Sequence, residues 1–304
     1  MSELIDFNEL KASNALPSPK DVRLRVMRLC QQENVSLHEL AQQIQADPIV
    51  AGRIIKIANS VNPNKNRSIA SITTDVLILV GVAAVRQVVL GISLVTEHRA
   101  GSCKNFDYSR FWSRSAAMAC SAQSLGVAIR VAPVTEMFIC GLLAGIGSLG
   151  LASARPTTYS NMIAEWGRDQ LAEMTQAETS AFGYNHLTLA AAMMADWNIP
   201  RLFIDAVQCH EAPTQFNLEP GSRQWRLTLT LHLAGKIADL FFAADDEKND
   251  LLALISACAA QLELDTEALC NAINAAAADW QDWGGILRID THPFTPITGD
   301  AFDI

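Results

Sequence analysis

Three stretches of the chain carry residue types that could do chemistry. Gly145-Ile146-Gly147-Ser148-Leu149-Gly150 reads literally as the glycine fingerprint that seats a pyrophosphate on a helix N-terminus. That chemistry needs a strand before the loop and a strand–helix–strand unit around it, and neither is present. Nor does Gly141-x-x-x-Gly145-x-Gly147 have the Lys-Ser/Thr that a phosphate-and-metal loop requires. The glycines therefore read as packing positions. The second stretch, Leu37 to Ser60, has the spacing of a helix-turn-helix, with Arg53 and Lys56 on its second helix. Two basic residues make few phosphate contacts, so nucleic-acid binding is an alternative reading only. The third group is the cysteines, Cys30, Cys103, Cys120, Cys140, Cys209, Cys258 and Cys270. They are scattered among apolar neighbours with no Cys-x-x-Cys pair, as reduced core thiols in a cytoplasmic protein would be.

The elements that position these residues read as helix after helix. Ser18-Pro19 and Asp47-Pro48 each place a capping side chain before a proline at the first helical position. Ser36-x-x-Glu39 is a capping box. Apolar residues then recur at helical spacing: Val22, Val26, Leu29 and Cys30; Leu37, Leu40, Ala41 and Ile44; Val50, Ile54, Ile57 and Ala58. Asn59-Ser60 ends the third of these, a loop through Asn62-Pro63-Asn64 follows, and Thr73 to Val95 is apolar, broken at Gly81 and Arg86-Gln87, where periodicity alone does not exclude a strand but length and the flanking helices favour helix. Further helices are expected near 108–124, 134–143, 158–166, 171–182, 187–197, 201–209, 224–242, 250–262 and 266–283. No hairpin signal or alternating-strand run appears, so the class is all-α.

Half of the 304 residues are hydrophobic and 18% are charged, which excludes a largely disordered chain. The net charge is −9, with +2 on residues 1–100 and −11 on the remainder, so the whole is no general polyanion binder. Met137 to Ala154 is uncharged, but its glycines and serines suit a buried helix and a close-packed turn better than a membrane span. The N-terminus lacks an export signal pattern. Trp112 and Trp197 read as core anchors; Trp280 and Trp283 read as a cap on the C-terminal bundle, with an exposed partner patch as the alternative.

The ordered motifs resemble a known family, the bacterial HDOD domain, a set of helical regulatory relatives of the HD metal-dependent phosphohydrolases. The resemblance begins at Leu16-Pro17-Ser18-Pro19 and continues through Asp47-Pro48, Asn59-Ser60, Gly81, Phe111-Trp112, Gly141-Leu142-Leu143 with Gly147, and Trp197-x-x-Pro200 followed by His210. It implies an HD-like helical bundle over about residues 12–213, leaving a helical extension at 214–290 and an irregular tail at 291–304.

It also implies where a metal would sit, and there the chain departs from the pattern. An HD phosphohydrolase holds its cation with a His, a His-Asp pair and a later Asp. By the resemblance these positions are Arg114, Ala144-Gly145 and Gly235, with Asp239 one turn beyond Gly235. His186 and His210 survive, and Glu211 stands where the family often has a second His. The resulting expectation is a non-enzymatic signalling module with no cofactor or metal. It would act through a protein partner, or through a small anionic ligand in a degenerate cleft of Arg114, His186, His210 and Glu211. Residual phosphohydrolase activity is the alternative.

Overall fold

A computed structural model describes residues 7–13, 15–17, 26, 29–30, 35–63, 68–166 and 171–302. Regular structure among the described residues is helical, with no strand, as the periodicity predicts. The chain divides into two compact units, residues 18–98 and residues 1–17 with 99–304. Ser18-Pro19, Val22 and Asn64 lie outside the described residues.

In the 18–98 unit, Val26 and Leu29 are buried, and four helices follow: α2 (Leu37–Gln45), α3 (Pro48–Val61), α4 (Thr74–Val80) and α5 (Val82–Glu97). The Ser36 hydroxyl accepts from the Glu39 N–H, but only this half of the expected capping box forms. Asp47 caps α3 by accepting from the Ile49 and Val50 N–H groups at 3.0 and 3.2 Å. The stripes meet as the spacing predicts, with Leu40, Ala41, Ile44, Val50, Ile54, Ile57 and Ala58 all buried. Gly81, at φ 86°, lets α4 and α5 meet at an 88° bend, a conformation a side chain would strain.

Asn59 does not end α3, which runs on to Val61. Its side chain acts as a latch. The amide donates to the Ile55 and Ile69 carbonyls at 3.0 and 2.9 Å, and its oxygen accepts from the Ile69 N–H at 2.8 Å. Substituting Asn59→Ala should lower stability by about 1–2 kcal/mol, read by urea denaturation. A change below about 0.5 kcal/mol would show that the latch carries no weight.

Arg53 corrects the groove-reading alternative. It is only 1% exposed, and Lys56 is half-buried. A buried guanidinium cannot reach a phosphate, so the helical register that suggested a groove face turns Arg53 inward.

The second unit contains α1 (Phe7–Ala12) and is built around α6 (Tyr108–Ile129). Buried Ala116, Ala117, Ala119, Ser121 and Ala122 keep the flanks of α6 narrow, so neighbours approach closely. It packs against α7 (Val134–Leu143), α13 (Arg223–Phe242) and α15 (Thr266–Leu287). A second layer runs α8 (Ile146–Ala154), α9 (Pro156–Trp166), α10 (Leu171–Phe182), α11 (His186–Asp196) and α12 (Arg201–Cys209), with α11 against both α8 and α12. Helix α13 is buried nearly all round, from Leu227 to Phe241, and is flanked by α12 and by α14 (Lys248–Gln261). The helices of residues 214–290 thus belong to the same compact unit as residues 99–213.

Val134–Ala154 passes a length-and-hydropathy test for a membrane span, yet 78% of its most apolar stretch is buried here. Trp280 and Trp283 are 0% and 1% exposed. The Trp280 indole N–H donates to the Ser113 carbonyl at 3.0 Å and Trp283 stacks on Phe138, so both close the core rather than face outward.

Candidate functional site

The site lies wholly in the second unit, where α6, α10, α11 and α13 each supply a side chain and His210 and Glu211 follow the end of α12. Asn185 fixes the start of α11 by reciprocal capping with Thr188, which sets His186 at the first helical position. Gly147 of α8 makes that position possible. A Cβ there would lie 1.8 Å from the His186 carbonyl oxygen. The glycine run is a close-approach surface for α11 and not a phosphate loop.

His186 is clamped between two acids. Its Nδ1–H and its backbone N–H both donate to Glu178 Oε2, at 2.6 and 2.8 Å. Its Nε2–H faces both oxygens of Glu211 at 3.1 and 3.2 Å. Burial alone would depress the imidazole pKa, but the Glu211 charge and the hydrogen bonds to Glu178 and Glu211 outweigh it and hold it at about 10. For Glu211, burial works against ionisation. The nearby His186 charge and hydrogen bond, aided by His210 and Arg114, prevail and hold the carboxyl at about 2.

His210 behaves in the opposite way. Burial pushes its pKa below the ordinary histidine value, despite Glu211 nearby, and its Nδ1–H donates to the Val207 carbonyl at 2.6 Å. The His210 carbonyl in turn accepts from His232 Nδ1–H at 2.7 Å. His232 is also lowered, chiefly by burial.

Arg114 projects from α6 and its Nε–H donates to Asp239 Oδ1 of α13 at 2.7 Å. The two side chains are 39% and 35% exposed, so solvent screens the pair and its contribution is small. Arg114→Met should therefore cost less than about 1 kcal/mol in urea denaturation. A loss several times larger would show that the pair holds α6 to α13.

Of the expected cleft residues, His186 and Glu211 are in direct contact, while the Arg114 side chain bonds to Asp239 and the His210 ring to the Val207 carbonyl. Residue reasoning missed Glu178 and His232. Glu178 is 0% exposed and lies eight residues before His186 across a turn between helices, which no helical periodicity flags.

The HD-type metal can be tested against these side chains. Ala144 and Gly145 offer no ligand atom. At 114 and 235, where the resemblance places two of the ligands, the chain has a guanidinium and a glycine, and a Cβ on Gly235 would lie 4.0 Å from Arg114 Nη2. No group of three or more His, Cys, Asp or Glu among the described residues is arranged to hold a metal. The residues do not fit the group. Chemically, an imidazolium held at a pKa near 10 is a poor general base at neutral pH, and both its nitrogens are engaged.

No curated protein matches the chain. Among solved structures it is similar to the MmoQ response regulator of Methylococcus capsulatus str. Bath, at 35% identity over 84% of this chain and 97% of that one, with a TM-score of 0.52. A candidate phosphohydrolase from Shewanella amazonensis SB2B shares the fold at 19% identity, covering 93% and 99% of the two chains, with a TM-score of 0.63. An HDOD domain protein from Geobacter sulfurreducens does so at 18% identity, covering 92% and 95%, with a TM-score of 0.58. The HDOD domain family itself matches residues 16–213, the span that carries the sequence motifs and most of the polar cluster. The helical bundle, the motifs and this match together place the chain in the HDOD domain family.

Proposed function

We propose that this protein is a cytoplasmic signal-transduction module that works by recognition and not by hydrolysis. The observation that carries the reading is Arg114: its guanidinium lies against Gly235 and on Asp239, where an HD enzyme would need converging ligands. Likeness to a response regulator supports the regulatory role. Six of the seven free cysteines are buried and the seventh is half-buried, which suits a reducing compartment.

The partner is a signalling protein, and the cleft of Arg114, His186, His210 and Glu211 is open to a small anion only at Arg114. The buried imidazolium already sits on two carboxylates, whereas Arg114 is 39% exposed and its Nη groups have no partner among the described residues. A nucleotide panel followed by isothermal titration should give heat that Arg114→Met abolishes. Silence across the panel removes the small-ligand part.

The recognition reading itself is tested by metal analysis and by phosphoester turnover with added Mn²⁺ or Mg²⁺. No turnover above a denatured control is expected. Turnover that disappears in His186→Ala would overturn the reading.

A further inference from the structure

Between Leu227 and Phe241, every residue of α13 is buried except His232, Lys236 and Asp239, which are half-buried. They stand at i, i+4 and i+7 and so share one face, the only side of this stretch that is not closed off. Arg114 of α6 reaches the same face. Its Nε–H donates to Asp239, and its Nη2 lies 4.0 Å from the place of a Cβ on Gly235, the residue before Lys236. A guanidinium and an ammonium therefore flank one turn of α13.

The acids beside them are engaged. Asp239 Oδ1 accepts from Arg114, and both oxygens of Glu211 face His186. Lys236 makes no hydrogen bond or ion pair among the described residues, and neither do the Arg114 Nη groups. Two partly desolvated cations thus keep donors to offer.

His232 adds an acceptor. Its Nδ1 lies 2.7 Å from the His210 carbonyl, which can only accept, so the ring proton is on Nδ1. Burial lowers the ring's pKa below the ordinary histidine value despite that hydrogen bond, with Lys236 adding to the effect. In the neutral ring Nε2 carries a lone pair, and it has no partner among the described residues. Arg and Lys take the oxygens of a phosphate. A neutral imidazole nitrogen takes nothing from a bare oxyanion and needs an O–H.

We propose that Lys236, His232 and Arg114 form a binding site for a hydroxyl-bearing phosphate, with its oxygens on the two cations and its hydroxyl donating to His232 Nε2. This deepens the small-ligand part of the recognition reading, on which it rests, by adding two residues of α13 and the chemistry of the ligand.

The test is isothermal titration of the full chain at low salt and mildly alkaline pH, with inorganic phosphate and with sulfate. Both are dianions there, but only phosphate carries a hydroxyl. Phosphate should bind at least about tenfold more tightly than sulfate, and Lys236→Met should weaken it at least about tenfold. His232→Phe should bring phosphate down to the level of sulfate. Lys236→Met removes no contact within the fold, so it keeps the test decisive if His232→Phe misfolds. No heat with phosphate, equal affinity for the two anions, or phosphate binding unchanged by Lys236→Met each overturns the proposal. Adenosine monophosphate in the same experiment tells the source of the hydroxyl: tighter binding than inorganic phosphate assigns the site to a nucleotide, weaker binding to free phosphate. Nucleotide heat that Arg114→Met abolishes and Lys236→Met leaves intact would end this proposal and keep the recognition reading. Phosphoester turnover lost in His186→Ala would end that reading, whatever phosphate does at Lys236.

Discussion

His186→Ala should cost about 3–5 kcal/mol of stability, because it leaves Glu178 and Glu211 facing each other without the cation between them. Glu178 is fully buried and one of its oxygens, Oε1, already has no hydrogen-bond partner among the described residues. Losing the bonds to Oε2 would add a second deficit in the same carboxylate. Circular dichroism with urea denaturation at pH 7 measures the effect. A cost under 1 kcal/mol would mean that water or rearrangement satisfies the acids. Glu178→Gln should be milder, since the amide oxygen can still accept from the ring and the backbone.

The same clamp fixes a pH dependence. The folded pKa of His186, about 10, lies above its ordinary 6.5. Its stabilisation is therefore complete below pH 6.5 and is lost as pH rises toward and through 10. Glu211, held at about 2 against an ordinary 4.5, stabilises fully above 4.5 and loses that effect as pH falls through 2. His210 and His232 are lowered, so the unfolded chain takes up protons before the folded one, and stability also falls on acidifying below 6.5. Wild-type stability should decline between pH 7 and 10 by a few kcal/mol, on the order of what such a shift is worth. His186→Leu should flatten that limb. An unchanged alkaline limb in the variant would assign the decline to other groups.

The second large effect belongs to Gly147. A Cβ at 1.8 Å from the His186 carbonyl oxygen cannot be absorbed by a side-chain rotation, because the obstacle is backbone. Helices α8 and α11 would have to separate by more than an ångström. Gly147→Ala should therefore cost about 3 kcal/mol or more. Gly285→Ala is the matched control, because nothing lies within 4 Å of its would-be Cβ and the helix gains from losing a glycine. Equal melting temperatures for the two variants would refute the close-approach argument. The displaced α11 should also weaken the His186–Glu178 bonds, so the alkaline limb should flatten together with the loss of stability.

Much of the bundle was legible because helices announce themselves locally. The caps at Ser36 and Asp47 and the stripes of Leu40, Ile44, Ile54 and Ile57 are short-range features, and they appear where the spacing places them. Errors arose where local pattern meets tertiary environment. Arg53 looks like a solvated groove face in sequence, but it is buried once its helix is packed. Asn59 looks like a helix stop, but it holds a loop ten residues further on.

The residue types of this chain determined by themselves that it is helical, while the interest of Arg114, His186, His210 and Glu211 came from its resemblance to the HDOD domain family. Periodicity and capping act within a few residues, so one dimension contains them. Only the folded chain decided that Glu178 and Glu211 close on His186 from opposite sides, that Arg114 lies against Gly235, and that residues 290–298 lie along α15. Those arrangements depend on which helices become neighbours. That follows from the sum of many weak packing contacts across the core, and no local stretch of sequence encodes it.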